Sequence, residues 1–320
     1  MALGLAAAAA LMPGVAFSAL PGEPPAPDRE LKVPVSGGSI HVRVNGPLDG
    51  PRPPLLTVHG GPGGSHAAFL PALPLAHERA VILYDQLDSG LSERPGNPAN
   101  WVVARFVSEI DAIRAALGLD RVHLLGHSWG GTVALEYAAR RPPGLASIIL
   151  QGPLISTRAW MEDAAALRAL LPADVQATLD ACEGATPPPR DRCDAATEAF
   201  YARFWRLRPP PAWQTAYEKA YNQALNHAVY EAMWGLNEFR ATGSLADYDG
   251  EALLARIAAP ALFLLGDSDE IRPDTARRFA AATGSGAEVA IVPDAAHRIQ
   301  SDQPGLYVAA IDRWLRRHDA

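Results

Sequence analysis

The hydrophobic residues after position 30 fall into short runs of two kinds. The segments KVPVSGG and SIHVRVNG alternate apolar with polar residues, which predicts a β-hairpin. Later runs are continuously apolar and bounded by turn residues: PPLLTVHGG, RAVILYDQ, RVHLLGHS, LASIILQG, PALFLLGD and EVAIVPDA. Such runs are typical of strands buried on both faces of a parallel sheet. Because segments of helical periodicity separate most of them, we predict a doubly wound, mostly parallel α/β sheet.

One long segment interrupts this alternation. From residue 155 to residue 245 the chain has no strand-like run and is rich in Ala, Trp, Tyr and Arg at helical spacing. We predict that residues 155–245 form a helical cap, inserted after the sixth strand over the edge where open α/β sheets bind ligands. Residues 30–154 and 246–320 would then form the catalytic domain.

The N-terminus carries an apolar run without any charge, residues 2–20. It is similar to the apolar region of a secretory signal peptide, with Ala16 and Ser18 as small residues near a cleavage point, although no positive residue leads it. We expect residues 1–22 to be a signal peptide or an N-terminal extension. The protein is expected to be exported, either periplasmic or secreted, with a cytoplasmic protein as the alternative. A membrane span is disfavoured because a Pro-Gly pair interrupts the run.

Two cysteines, Cys182 and Cys193, lie eleven positions apart within the predicted cap. In an oxidising compartment they could form a disulfide, and otherwise they would be two free thiols. The sequence leaves both alternatives open. A metal site is not expected, because no further Cys or His lies close by.

Composition and charge exclude some functional classes. The 320 residues carry a formal net charge of −7, with 48% hydrophobic and 20% charged residues, an ordinary balance for a globular protein. Nucleic-acid binding would require clustered Lys and Arg, so we expect no nucleic-acid partner. No stable membrane partner is expected either, and the oligomeric state is left open.

The strongest chemical motif is G-x-S-x-G at residues 126–130, directly after the run RVHLL and directly before a helical segment. In that context Ser128 is predicted to lie on a sharp strand-to-helix turn as a nucleophile. Gly126 and Gly130 are expected because a Cβ at either position would collide where strand and helix cross. The helix N-terminus favours the negative charge that develops beside Ser128.

A serine nucleophile requires a base that is oriented by an acid, in the chain order Ser, acid, His. His297 follows the last predicted strand and is the candidate base. The preceding strand is followed by GDSDE, which offers Asp267, Asp269 and Glu270. Spacing alone does not decide between Asp267 and Asp269.

The oxyanion of an acyl-transfer reaction requires two backbone N–H donors. Trp129, the residue after the nucleophile, supplies one, and Gly61 in the glycine-rich loop at residues 59–64 supplies the other. A phosphate cradle is rejected for this loop, because it lacks both the G-K-[ST] ending and the G-x-G-x-x-G spacing. The predicted chemistry requires no metal and no cofactor.

These motifs resemble those of the proline iminopeptidases and the tricorn-interacting aminopeptidase, within the α/β-hydrolases. The similar segments cover most of the chain after residue 30: HGGPGG at 59–64, YDQLDSGLSERP at 84–95, GHSWGG at 126–131, MWGLNEFRATGSLADYD at 233–249 and GDSDEIRP at 266–273. The resemblance implies an α/β-hydrolase fold and assigns Asp269 to the catalytic acid. Asp88 stands where the family commonly has glycine, so a differently shaped turn is expected there.

The resemblance also implies an activity. It points to a serine exopeptidase that releases an N-terminal residue, preferably proline, from small peptides through an acyl-enzyme. Glu238 and Glu270 would hold the free amino group of the substrate, because a desolvated ammonium requires carboxylate partners. The alternative is an amidase or esterase that acts on small α-amino acid amides or esters.

Overall fold

The computed structural model describes residues 22–320, and its main sheet has eight strands. In chain order the strands are β1 Arg29–Val35, β2 Gly38–Asn45, β3 Leu55–Val58, β4 Val81–Tyr84, β5 Val122–His127, β6 Leu145–Gln151, β7 Gly235–Asn237, β8 Arg240–Ala241, β9 Ala261–Gly266 and β10 Ala287–Val292. The main sheet has the order β1-β2-β4-β3-β5-β6-β9-β10. Within this sheet of the described residues, the pairings of β2 with β1 and β4 are antiparallel and the others are parallel. The predicted α/β-hydrolase fold with a mostly parallel sheet is confirmed.

Helices flank this sheet and fill the long segment between β6 and β9. They are α1 Val103–Leu117, α2 Trp129–Ala139, α3 Thr157–Arg168, α4 Ala173–Cys182, α5 Arg190–Phe204, α6 Ala212–Ala220, α7 His227–Met233, α8 Glu251–Leu254, α9 Pro273–Ala282, α10 Ile299–Asp302 and α11 Pro304–Arg317. Two 3₁₀ helices, His66–His77 and Pro98–Asn100, precede α1.

The continuously apolar strands are explained by burial on both faces of the sheet. In β3, Leu56 and Val58 pack into a cluster on one face, while Leu55 packs into a second cluster on the other face. Leu124 and Leu125 of β5 divide between the same two clusters. Because side chains alternate along a strand, only a continuously apolar run can fill both layers.

The parallel register brings the carboxyl ends of the neighbouring strands to one edge of the sheet. Strands β3, β5, β6 and β9 are hydrogen-bonded neighbours in that order, and β10 follows β9. The loops that leave this edge contain the residues predicted to carry the chemistry. This edge is therefore where the site must be sought.

The helical segment leaves the sheet and returns to it at adjacent points. Ser156 and Asp249 form an isolated antiparallel bridge, and the N–H of Thr157 donates to the carbonyl of Tyr248 at 2.9 Å. The strands β7 and β8 form a small hairpin inside this segment, where the sequence predicted no strand. With only two or three residues each, they are too short to show an alternating pattern. We use the name cap for residues 155–245, as a proposed domain.

The turn at Asp88 adopts a conformation that glycine favours. Its φ is 65°, in the left-handed region, which Asp visits more readily than most residues. The Asp88 carboxylate accepts the N–H of Gly96 and the indole N–H of Trp101, both at 2.8 Å. These bonds hold the turn in a shape that a residue with a side chain seldom adopts.

The predicted N-terminal extension lies outside the described residues, apart from Gly22. Among residues 22–320, no helix combines the length and the apolar character required to cross a bilayer.

Cys182 and Cys193 are joined in a disulfide, with their Cα atoms 5.8 Å apart. Cys182 is the last residue of α4 and Cys193 lies in the first turn of α5. The bond therefore ties together two consecutive helices of the cap across the proline-rich loop that connects them.

Replacing both cysteines, Cys182→Ser with Cys193→Ser, should lower the free energy of unfolding by about 2–3 kcal/mol, because the cross-link restricts the unfolded chain. Equilibrium denaturation under non-reducing conditions measures the difference. With a reductant present, wild type and variant should coincide. Two titratable thiols in unfolded, unreduced wild type would contradict the assignment.

Candidate active site

Ser128 lies between β5 and α2 in a strained backbone conformation, with φ 57° and ψ −122°. A Cβ added at Gly126 would collide with the carbonyl of Gly130, and one added at Gly130 would collide with the carbonyl of Val58. The expectation that both positions require glycine agrees with this crowding. The crossing of strand and helix thus leaves Ser128 at the tip of the turn.

His297 and Asp269 form a buried hydrogen-bonded pair. The His297 Nδ1 atom lies 2.7 Å from Asp269 Oδ1. The Asp269 carboxylate also accepts the N–H groups of Gly266 at 3.3 Å and Ile271 at 3.2 Å, so its orientation is fixed. Asp267 has a different role, because its exposed carboxylate accepts backbone N–H groups of the β10–α10 loop.

Two aromatic side chains surround the imidazole of His297. The Trp160 ring meets it edge-on at 5.6 Å, and the His127 ring lies 4.6 Å away, centroid to centroid. His127 Nε2 lies 3.2 Å from the carbonyl oxygen of His297, which can accept its N–H. Burial holds the pKa of His127 well below its usual value, so this ring is neutral and adds no second cation beside His297.

Gln86 links the glycine-rich loop to the serine turn. Its side-chain amide donates to the carbonyl of His59 at 2.8 Å and accepts the indole N–H of Trp129 at 2.9 Å. Its backbone N–H donates to His59 Nε2 at 3.0 Å. Burial lowers the pKa of His59 to about 4, which keeps this nitrogen free to accept. The sequence did not reveal Gln86 as part of the site, although it lies in the motif YDQLDSG.

The predicted oxyanion donors flank Ser128 on this framework. Gly60 packs so closely that a Cβ there would lie 3.0 Å from Ser128 Cβ, and Gly61 follows it on the wall of the cavity. Trp129 is the first residue of α2, so its N–H has no acceptor within the helix. Its indole is buried beneath the loop rather than on the cavity wall.

Asp85 anchors the chain that follows the glycine-rich loop. His66 donates its backbone N–H to Asp85 at 2.7 Å, and its Nδ1 lies 2.9 Å from the same oxygen. Asp85 also accepts the N–H of Leu91 at 2.8 Å. Although burial opposes it, the charge of His66 holds the pKa of Asp85 well below its usual value.

His41, His66 and Asp85 form a trio with metal-ligand atoms. Since N–H donors already occupy both Asp85 oxygens, we interpret the trio as a hydrogen-bond cluster.

Two glutamates approach the base from different elements. Glu270 is buried beside Asp269, and its Oε2 atom lies 3.8 Å from His297 Nε2. Among residues 22–320, neither oxygen of Glu270 has a hydrogen-bond partner. Glu238, on the β7–β8 hairpin, accepts the hydroxyl of Tyr230 at 2.6 Å.

The surroundings of both glutamates disfavour their charged form. Burial raises the pKa of Glu270 well above its usual value, and the charges of Glu238 and Asp269 raise it further. Burial also raises the pKa of Glu238, against the hydrogen bond from Tyr230 and the charge of His297. Glu270 is buried without a hydrogen-bond partner in the described chain, and Glu238 is half-buried, so a ligand cation would stabilise the charged form of both.

Most of the predicted residues meet at one cavity of about 500 Å³. Ser128, His297, Gly61 and Glu238 line it, while Asp269 and Glu270 lie buried behind its wall. The remaining wall is mainly aromatic and polar and comes largely from the cap, including Tyr201, Trp205, Glu218, His227, Tyr230 and Leu236. A cavity of this size suits a ligand of one or two amino acids.

Comparison with known proteins gives a consistent result. The profile of the α/β hydrolase fold family matches residues 53–304. The proline iminopeptidase of Heyndrickxia coagulans is 36% identical over 263 residues, which cover 82% of this chain and 90% of that protein. That of Levilactobacillus brevis is 35% identical, with 91% and 97% covered.

Solved structures agree with these matches. The crystal structure of a Mycobacterium smegmatis proline iminopeptidase superposes with a TM-score of 0.83 at 34% identity, covering 91% of this chain and 99% of that one. The structure of VinJ gives a TM-score of 0.84 at 32% identity, with the same coverage.

Gly152→Ala should disable the base without unfolding the protein. The added Cβ would lie 2.7 Å from His297 Nδ1 and 3.1 Å from Asp269 Oδ2, so the pair must separate. We expect the rate of fluorophosphonate labelling of Ser128 to fall at least about a hundredfold, as for a misplaced catalytic group.

Gly118→Ala is the matched control, because Gly118 also has a positive φ but no atom near its Cβ position. Backbone strain should cost each variant about 1–2 kcal/mol of stability, and denaturation measures how much the clash with His297 adds in Gly152→Ala. Equal labelling rates in the two variants would show that the space around Gly152 is not critical.

Proposed function

This chain belongs to the α/β-hydrolase family and, within it, to the proline iminopeptidases, and from that premise we propose that it is a serine aminopeptidase. It releases the N-terminal residue of small peptides, with proline preferred, through an acyl-enzyme. The single observation that carries the proposal is the unpartnered Glu270 carboxyl group 3.8 Å from His297 Nε2. A carboxylate so close to the base fits a substrate whose ammonium group lies next to its reacting carbonyl.

The first half of the reaction forms an ester with the enzyme. Ser128 Oγ attacks the carbonyl carbon of the N-terminal residue, and His297 Nε2 takes the hydroxyl proton. Asp269 holds the imidazole in the required tautomer and stabilises its cation, a role that the 2.7 Å bond to Nδ1 supports. The N–H groups of Gly61 and Trp129 bind the oxyanion. His297 then gives its proton to the leaving amine as the peptide bond breaks.

The second half regenerates the serine. A water molecule gives a proton to His297 and attacks the ester carbonyl, and the tetrahedral intermediate collapses as His297 returns the proton to Ser128 Oγ. The free amino acid leaves with the shortened peptide already released. No other reactant is required for the atoms to balance.

Glu238 and Glu270 bind the substrate ammonium in this proposal. Burial raises the pKa of both groups, and the incoming cation offsets their mutual repulsion. Substrates without a free amino group gain nothing from this pair. The preference for proline follows the names of the relatives, and the aromatic wall formed by Tyr201, Trp205 and Tyr230 supports it by offering apolar faces to a pyrrolidine ring.

We also propose that the protein works in an oxidising compartment outside the cytoplasm. The Cys182–Cys193 disulfide supports this, since such bonds persist mainly in exported proteins.

A substrate panel tests the function. The wild-type protein should cleave prolyl arylamides and alanyl arylamides but not their N-acetylated forms. The Ser128→Ala variant should cleave none of these substrates. Esterase activity without cleavage of any free-amine substrate would refute the aminopeptidase. Amino acid amides cleaved far better than dipeptides would instead favour the amidase.

Glu238→Gln should lower kcat/KM for prolyl arylamides by about ten- to a hundredfold, because it removes one charge-assisted hydrogen bond to the ammonium. Hydrolysis of an N-acylated ester should change little. Glu231→Gln is the matched control, since Glu231 also lines the cavity but is exposed. Equal losses on both substrates would show that Glu238 has a structural role only.

A further inference from the structure

Arg298 lies directly after the base His297 and lines the same cavity. Its backbone N–H donates to the carbonyl of Trp205 at 2.9 Å, which fixes the residue against the end of α5. Its guanidinium lies over the Trp205 ring, 5.4 Å from the centroid. The side chain is thereby held at the site by two contacts with the cap.

The guanidinium of Arg298 has no anionic partner among residues 22–320. No carboxylate oxygen lies within the 4.0 Å of an ion pair, and the buried Nε has no acceptor. The residue as a whole is half-buried, so the cost of desolvation falls on this buried Nε, which lacks an acceptor.

The nearest acidic side chains are already engaged. Glu218 and Asp302 act on Arg298 only at a distance. Glu218 accepts a hydrogen bond from the side chain of Gln214 at 3.0 Å. Both Asp302 oxygens accept backbone N–H groups, of Leu207 and Ala296 among others. The hydrogen-bond donors of the Arg298 guanidinium are therefore available to a ligand in the cavity that this residue lines.

We propose that Arg298 binds the C-terminal carboxylate of the substrate, so that the preferred substrates are free dipeptides. The proposal rests on the aminopeptidase function and adds a second charged contact to it. A guanidinium presents parallel N–H donors that match the two oxygens of a carboxylate, which makes Arg the natural partner for this group.

The dimensions of a dipeptide set the separation that this assignment requires. Its ammonium and its carboxylate lie on opposite sides of the scissile bond, about 7 Å apart at most for two extended residues. Glu270 brings one carboxylate of the acidic pair to 3.8 Å from His297 Nε2, and Arg298 is the next residue after His297 in the chain. A substrate clamped at both ends would hold its carbonyl between the two contacts, beside His297. The cavity of about 500 Å³ has room for such a molecule.

Arg206 provides a control that differs from Arg298 mainly in position. Its guanidinium also stacks on Trp205, 4.9 Å from the ring centroid, and it too lacks an ion pair within the described part of the chain. Among the described residues that line the cavity, however, Arg298 is present and Arg206 is not. Only Arg298 should therefore affect recognition of the carboxylate.

The test compares prolyl-alanine with prolyl-alanine amide, which differ only in the terminal charge. The measured quantity is the ratio of kcat/KM for the acid to kcat/KM for the amide, in which any general loss of activity cancels. Arg298→Gln should lower this ratio by about ten- to a hundredfold relative to wild type, the range for a hydrogen bond to a charged group. Arg298→Lys should retain much of the ratio, and Arg206→Gln should leave it at the wild-type value.

An unchanged ratio in Arg298→Gln, with both substrates still cleaved, would overturn the role of Arg298 and leave the aminopeptidase intact. An equal fall in Arg206→Gln would overturn it as well, because the effect would then come from the general positive charge. Failure of the wild type to cleave any free-amine substrate, including prolyl arylamides, would refute the proposed function and this proposal with it.

Discussion

The close crossing of β5, α2 and the end of β3 is the constraint on which the site depends. Side chains are excluded at Gly126 and Gly130 because backbone carbonyls already occupy that space. The crossing forces Ser128 into a positive φ and brings Gly60 against its Cβ. Packing of the backbone thus positions both the Ser128 main chain and the glycine-rich loop.

Charge is distributed around this framework in a consistent way. Burial lowers the pKa values of His59 and His127, so both rings are neutral and serve as hydrogen-bonding groups, and in our proposal it is His297 that exchanges a proton with Ser128. Glu238 lies on the cavity wall and Glu270 is buried behind it; burial raises the pKa of both, and the charge of Glu238 raises that of Glu270 further. The free site is therefore incomplete in charge, and in our proposal a zwitterionic substrate completes it.

The sequence predicted much of this arrangement because the essential residues follow recognisable strands. Ser128 and His297 were predicted from strand ends and chain order alone. Asp269 was not, because Asp267 lies in the same loop; the family resemblance assigned it, and the hydrogen bonds of the two carboxylates in the folded chain support that assignment. The β7–β8 hairpin was missed because its strands are too short to carry a period.

Sequence patterns did not identify Gln86 and Arg298 as site residues, for a different reason. The importance of Gln86 comes from a meeting of three segments that are far apart in the chain. That of Arg298 comes from the absence of a partner, which can be recognised only when the neighbours are known. Local sequence patterns identify chemical groups, but whether a polar group has a hydrogen-bond partner depends on the tertiary structure.

The link between the base and the cap has a consequence for access. The N–H of His297 donates to the carbonyl of Phe204 at 3.0 Å, so the last turn of α5 supports the residue that moves the proton. A movement of the cap away from the sheet would break this hydrogen bond and leave His297 without that support. In our proposal, substrates therefore reach His297 with the cap in place, through the cavity that the cap and the glycine-rich loop line together.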